Sequence, residues 1–325
     1  MKTSRRAFLR TASTLAAGVL VAGPGARRAR ADEAAFDALD IDWVDTDRNR
    51  PVPVRLYLPH AATATQPVPL VVFSHGIGGS RRGYRWLGSH WASQGFASLH
   101  LQHVGSDRSL WGAGSPFAVV GRLQEAAGET EAVARVHDLR FALDRLLTDV
   151  LGERIDAGLI AAAGHSYGAN TTLLAAGARV ERAGVALALH EPRLKAAIVI
   201  SAPPFYGEAS PRRILAPVRL PSLHVTATDD VIRIPGYYSG AEDRVAVFEA
   251  VGGSRKTLAV FAGGSHSMFT DRGGAGGAEL NAQVKVATRE LTTSFLRGLR
   301  GNDDPDLRHW PARHAAIVAR FVGPA

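Results

Sequence analysis

The chain has 325 residues, no cysteine and a formal net charge of +8. Lack of thiols excludes disulfides and cysteine nucleophiles, and the length suffices to bury a core without staples. The charge does not point to nucleic acid: seven of 38 basic residues precede Asp32 with no acidic counterpart, leaving 31 basic against 30 acidic residues downstream, a scattered net +1.

Ser4-Arg5-Arg6-Ala7-Phe8-Leu9-Arg10 matches a twin-arginine export signature, a mildly apolar stretch follows over residues 11–22, and Ala29-Arg30-Ala31 supplies an A-x-A cleavage site. Residues 1–31 thus read as a twin-arginine signal peptide. The expected partner of the precursor is the twin-arginine export machinery, and the expected location is periplasmic or secreted. The apolar stretch is too short to span a bilayer, so no stable membrane insertion is expected.

From residue 32 onward, strand and helix signals alternate through a predicted single domain, 32–325. Residues 51–58 alternate apolar and polar, as an antiparallel edge strand does. Residues 68–74 (VPLVVFS) form a continuous apolar strand, followed by His75-Gly76-Ile77-Gly78-Gly79. A helix is predicted over 84–94 and a strand over 96–100. Residues 104–129 carry Trp111, Phe117, Val119, Val120 and Leu123 and are long for a loop. They read either as a lid or pocket wall, or as a surface insertion with its own apolar cluster. Val133, Val136, Leu139, Leu143 and Leu146 recur at helical spacing over 130–147.

The apolar run 159–163 leads into Gly164-His165-Ser166-Tyr167-Gly168, and small, helix-forming residues follow. This G-x-S-x-G between strand and helix presents a serine on a sharp turn. A serine hydroxyl is a weak nucleophile unless held beside a base, with donors waiting for the oxyanion. The amide of Tyr167 is one expected donor. The second comes from the glycine turn after residue 74, assigned to the amide of Ile77 with Gly76 as alternative. His75 precedes the serine and is expected to hydrogen-bond within its turn.

Further strands are predicted at 196–201, at 221–230 and at 256–261, with helices over 241–251 and 279–299. The second of these strands ends on adjacent carboxylates, Asp229 and Asp230. The third leads into Ala262-Gly263-Gly264-Ser265-His266, which makes His266 the expected base. Phe205, Tyr206, Tyr237, Tyr238, Met268 and Phe269 stand near these positions as pocket candidates or plain packing. Residues 302–325, with Trp310, Ile317, Val318 and Phe321, are expected to dock as a terminal helix. The alternation implies an α/β fold with a mostly parallel sheet and helices on both faces.

Four blocks together resemble the α/β-hydrolase superfamily over nearly all of the chain after residue 31. They are Arg50-Pro51-Val52-Pro53-Val54-Arg55-Leu56-Tyr57-Leu58-Pro59, Phe73-Ser74-His75-Gly76-Ile77-Gly78-Gly79-Ser80, Arg135-Val136-His137-Asp138-Leu139-Arg140-Phe141-Ala142-Leu143-Asp144 and residues 164–170. The closer resemblance is to predicted dienelactone hydrolases and platelet-activating-factor acetylhydrolase-like serine esterases. True dienelactone hydrolases use cysteine where this chain has Ser166.

The resemblance implies the order Ser166, acid, His266, a carboxylic-ester hydrolase, and neither metal nor organic cofactor. Its G-T-x-D acid motif aligns with Ala227-Thr228-Asp229-Asp230 and favours Asp230, while a G-x-x-D reading anchored on Thr226 selects Asp229. The expected substrate is a small ester or lipid. Two other functions share the scaffold: an acyltransferase working through the same acyl-enzyme, and a non-catalytic binding protein.

Overall fold

The computed structural model describes residues 35–113, 115–208, 210–234, 236–271, 277–301 and 305–323. The expected export leader and its cleavage site lie outside the described residues.

Val68–Ser74 (β3) is buried along its whole length. Its side chains alternate between two cores: Leu70 and Val72 face one, Val71 and Phe73 the other. Two-sided burial is why this strand reads as an unbroken apolar run. It lies centrally in a nine-stranded sheet of order β1-β2-β4-β3-β5-β8-β9-β12-β13. The other members are Phe36–Asp45 (β1), Arg50–Pro59 (β2), Ala97–Leu101 (β4), Ile155–His165 (β5), Leu194–Ile200 (β8), Ser222–Asp229 (β9), Lys256–Ser265 (β12) and Val318–Val322 (β13). Neighbours from β4 to β12 run parallel, while β1, β2 and β13 pair antiparallel at the flanks. Two short ribbons stand apart: Glu181–Arg182 (β6) with Val185–Ala186 (β7), and Ile232–Ile234 (β10) with Tyr237–Ser239 (β11).

Helices cover both faces. Among the described residues they are Arg85–Ser93 (α1), Pro116–Ala126 (α2), Glu129–Thr148 (α3), Tyr167–Ala175 (α4), Pro211–Leu215 (α5), Ala241–Ala250 (α6), Gly277–Gly298 (α7) and Pro305–Arg313 (α8). The apolar stripe of α3 (Val136, Leu139, Leu143, Leu146) packs on one face with α4 and α6. On the other face, Leu87 and Trp91 of α1 join Val284, Leu291 and Phe295 of α7 and Trp310 of α8. Burying each such side chain contributes roughly 1.5–3 kcal/mol. The parallel strands all point their carboxyl ends the same way, so the loops at 75–79, 166, 230 and 266 gather at one rim.

Three sequence expectations change. Residues 50–59 form a strand, but β1 covers it, so it is second from the edge. The strand expected to stop at 261 continues to Ser265 through Gly263 and Gly264, both at positive φ, with a shift of register against β9. The residues expected as a terminal helix give both α8 and a last strand. Trp310 is fully buried and donates to the Ala287 carbonyl at 2.8 Å, and Val318–Val322 then pairs with β12.

Candidate active site

Ser166 sits between β5 and α4 with φ 55° and ψ −124°. A positive φ on a residue with a side chain is strained and needs its surroundings to hold it. The backbone does so: the Ser166 amide donates to the Ile200 carbonyl at 2.9 Å. Both flanking glycines are dictated by closeness. A Cβ on Gly164 would lie 2.1 Å from the Gly168 carbonyl oxygen, and one on Gly168 would lie 1.9 Å from that of Ser74. The turn is therefore wedged against both its own helix and the central strand.

Ser166 Oγ lies 2.8 Å from His266 Nε2, and His266 Nδ1 lies 2.7 Å from Asp230 Oδ1. The carboxylate accepts from Nδ1, leaving Nε2 as the acceptor for the serine hydroxyl. Asp230 Oδ2 accepts from Thr226 Oγ1 at 2.8 Å, and the buried guanidinium of Arg244 stands 3.5 Å from Oδ1. Burial drives the Asp230 carboxyl up, but the His266 hydrogen bond and the neighbouring positive charge override it. The group is held well below the usual carboxylate range. The two adjacent acids thus part company. Asp230 is buried against His266, whereas Asp229 is exposed and its carboxylate accepts only from Thr228 among the described residues.

The two expected oxyanion donors flank Ser166 and line the same cavity. Tyr167 is the first residue of α4, so its amide has no intrahelical acceptor. The amide of Ile77 donates to no described residue, while its neighbours are engaged: Gly78 to Ser106 at 2.8 Å and Gly79 to Gly76 at 3.0 Å. The Gly76 amide lies 3.4 Å from the Tyr84 hydroxyl instead. His75 is fully buried, and its Nδ1 donates to the Gly76 carbonyl at 2.7 Å while its Nε2 accepts from the His103 amide. Its role is in the turn, and burial keeps it neutral.

Behind this loop lies a buried polar network that joins three of the sequence blocks. Arg50 Nε donates to Asp138 at 2.8 Å, Asp138 meets His103 Nδ1 at 3.0 Å, and His103 Nε2 meets Ser74 Oγ at 3.0 Å. Arg135, fully buried in α3, donates to the His75 carbonyl, to Ser106 Oγ at 2.7 Å and to Thr171 Oγ1 at 2.9 Å. Its guanidinium also lies 4.6 Å from the centroid of the Tyr167 ring. Sequence reading noted Arg135 only within a block; nothing along the chain signals that it reaches both sides of Ser166.

The cavity beside Ser166 measures about 310 Å³. Its walls are mainly apolar, with Ile77, Leu123, Leu174, Phe205 and Ile234 among them. Residues 104–129 supply one wall through Leu123 of α2, and Leu110, Leu123 and Ala126 also form their own small cluster with Ile77. The segment thus both borders the cavity and packs on itself. Of the pocket candidates, Phe205, Tyr206 and Tyr237 line the cavity, Met268 and Phe269 are core, and Tyr238 is exposed. Arg182 on β6 bridges Glu129 and Glu208 at the cavity's edge. Asn170 also lines the cavity, and sequence reading gave it no role. Among the described residues no cluster of three or more acidic or histidine side chains is placed to hold a metal ion, and no helix is long and apolar enough to cross a membrane.

Comparison with known proteins agrees with this architecture. The family model described as "Platelet-activating factor acetylhydrolase, isoform II" matches residues 50–111. A ferulic acid esterase from Streptomyces cinnamoneus is similar in structure, with a TM-score of 0.59 and 22% sequence identity, over 88% of this chain and 96% of that one. No curated protein matches the chain. The fold is that of the α/β-hydrolases.

Proposed function

We propose that this α/β-hydrolase chain is a serine carboxylic-ester hydrolase that works outside the cytoplasm. One observation carries the reading: an unbroken hydrogen-bonded line from Ser166 through His266 to Asp230, opening on an apolar cavity. In the proposed mechanism Ser166 Oγ attacks the ester carbonyl as His266 Nε2 takes its proton. Asp230 fixes the imidazole through Nδ1 and stabilises the imidazolium. The amides of Ile77 and Tyr167 hold the oxyanion, each such donor being worth roughly 10²–10³ in rate. His266 returns its proton to the departing alcohol. Water, activated by the same imidazole, then releases the acid from Ser166.

The test is hydrolysis of nitrophenyl esters of graded chain length by the protein and by Ser166→Ala, with fluorophosphonate labelling alongside. Rapid hydrolysis and labelling, both abolished by Ser166→Ala, support the reading. Equal rates for the two proteins, or a protein that neither hydrolyses nor labels, overturn it. Adding competing alcohols reads out acyl transfer, which would show as new esters. Export is proposed on the sequence of residues 1–31 alone; replacing Arg5 and Arg6 together by lysine is expected to retain the precursor in the cytoplasm, and unchanged export would refute it.

A further inference from the structure

We infer that the acyl part of the substrate carries a hydroxyl group about one helical turn from the reacting carbonyl, and that the Asn170 carboxamide recognises it. This rests on the ester-hydrolase reading above. Asn170 is only 7% exposed, and its carboxamide oxygen has no hydrogen-bond partner among the described residues. Its side chain makes no other described hydrogen bond, although it sits in a helix whose backbone is satisfied. A buried polar group left without a partner is unfavourable, and such groups in folded proteins call for an explanation. Packing does not supply one here, because a leucine in this wall would bury the same surface without the penalty.

Position supplies one. Ser166, Asn170 and Leu174 are spaced by four residues, so they fall on one face of the turn and of α4, and all three line the same cavity. Successive members are separated by roughly one helical turn, ~5.4 Å. A chain attached at Ser166 and lying along this face therefore meets a carboxamide and then an apolar end formed by Leu174, Val180 and Leu189. That order of surfaces suits an acid with a polar substituent near its carbonyl and a hydrocarbon tail beyond.

The chemistry of the substituent follows from its neighbours. The charged groups at the cavity are Glu129, Arg182 and Glu208, and they are bonded to one another. Both carboxylates are already engaged by Arg182, and the surplus negative charge disfavours an anionic substituent. The carboxamide oxygen is itself closed to solvent, so contact requires the side-chain amide to rotate, which presents either its acceptor or its donor end to a hydroxyl. The acyl part is assigned to this recess because it remains bonded to Ser166 Oγ while the alcohol must leave. The inference concerns binding and orientation only, and the bonds made and broken are those of ester hydrolysis.

The test compares kcat/KM for the ethyl esters of hexanoic, 3-hydroxyhexanoic and 5-hydroxyhexanoic acids, using the wild-type protein, Asn170→Leu and Asn170→Ala. Nitrophenyl acetate serves as a reference ester, with Ser166→Ala as its blank. Wild type is expected to favour one hydroxy ester over hexanoate by about tenfold, equivalent to about 1.4 kcal/mol. Asn170→Leu is expected to reverse that preference and to melt no lower than wild type, since it removes an unpaired polar group. Asn170→Ala preserves the comparison should the leucine variant fold poorly. An identical hydroxy-to-plain ratio in wild type and both variants, with nitrophenyl acetate still cleaved, overturns this inference and leaves ester hydrolysis standing. If Ser166→Ala cleaves nitrophenyl acetate as fast as wild type, the ester-hydrolase reading itself has failed and this inference falls with it.

Discussion

The Tyr84 hydroxyl lies 2.8 Å from His165 Nδ1. The other ring nitrogen of His165 faces the His266 carbonyl at 3.1 Å and must donate to it, so Nδ1 accepts and the tyrosine is the donor. The tyrosine oxygen in turn receives the Gly76 amide. One phenol and one imidazole thereby connect the 75–79 turn, the serine turn and the backbone of the base. Burial, followed by the His266 ring 4.7 Å away, pushes His165 down to about 3, so it stays neutral at ordinary pH.

Tyr84→Phe removes this connection while keeping the ring against Phe73. We expect kcat to fall by roughly three- to tenfold with KM little changed, since each hydrogen bond is worth about 1 kcal/mol. A change confined to KM, or none at all, would show that the connection does not position the reacting groups.

Arg135→Lys should act on the oxyanion side. Lysine cannot reproduce three forked hydrogen bonds and the stacking on Tyr167. The expected result is a fall in kcat of roughly ten- to a hundredfold, with a parallel loss of affinity for a boronic-acid analogue of the tetrahedral state. Loss of thermal stability with kcat and analogue binding intact would assign Arg135 to the fold alone.

The neighbouring acids give opposite expectations. Asp230→Asn should lower kcat by on the order of 10⁴, because an amide permits the wrong imidazole tautomer. Asp229→Asn should stay within about twofold of wild type, since that side chain is exposed and makes no described hydrogen bond to His266. Comparable losses in the two variants would contradict the arrangement described.

Acid should weaken the protein before its carboxylates titrate. His100, His103, His165 and His224 are buried and pushed down to about 3, and His75 is lowered as well. Below about pH 6.5 the unfolded chain binds protons at these sites and the folded chain does not. Stability therefore falls with falling pH, by about 1.4 kcal/mol per pH unit for each histidine, until the folded values are reached. Asp138 titrates later. Burial raises it, but His103 and Arg50 outweigh that and hold it at about 2, so its stabilisation is complete above its ordinary 3.8 and lost on descending towards 2. Melting temperature should decline from pH 6.5 downward, and His224→Gln, outside the candidate site, should make the decline shallower. A melting temperature constant between pH 7 and 4.5 would contradict this.

The legible parts of the site were those written in contiguous residues. Gly164 to Gly168 encode their own turn, because the glycines are needed by backbone contacts that follow from a strand meeting a helix. His266 and the acid pair stand out in the sequence because each follows an apolar strand. The choice between Asp229 and Asp230 turned on which side chain faces inward, which spacing alone leaves open. Tyr84 and Arg135 are illegible along the chain because their partners are distant in sequence, and Asn170 because its distinguishing feature is a partner it lacks. β1 was overlooked because Asp37, Asp40 and Asp42 interrupt its apolar residues; Asp40 is matched by Arg55 and Arg82, and Asp42 by Arg81. β13 gives a weak strand signal because it is short and only half covered.

The last strand lies beside the strand that delivers the imidazole, and the Ala262 amide donates to the Ile317 carbonyl just before the two glycines that lead to His266. A chain emerging from the ribosome has therefore made its serine turn some 150 residues before the segment that braces the base. Competence for chemistry therefore waits on residues 317–322, and deleting this strand should silence the protein even though none of its residues lines the cavity.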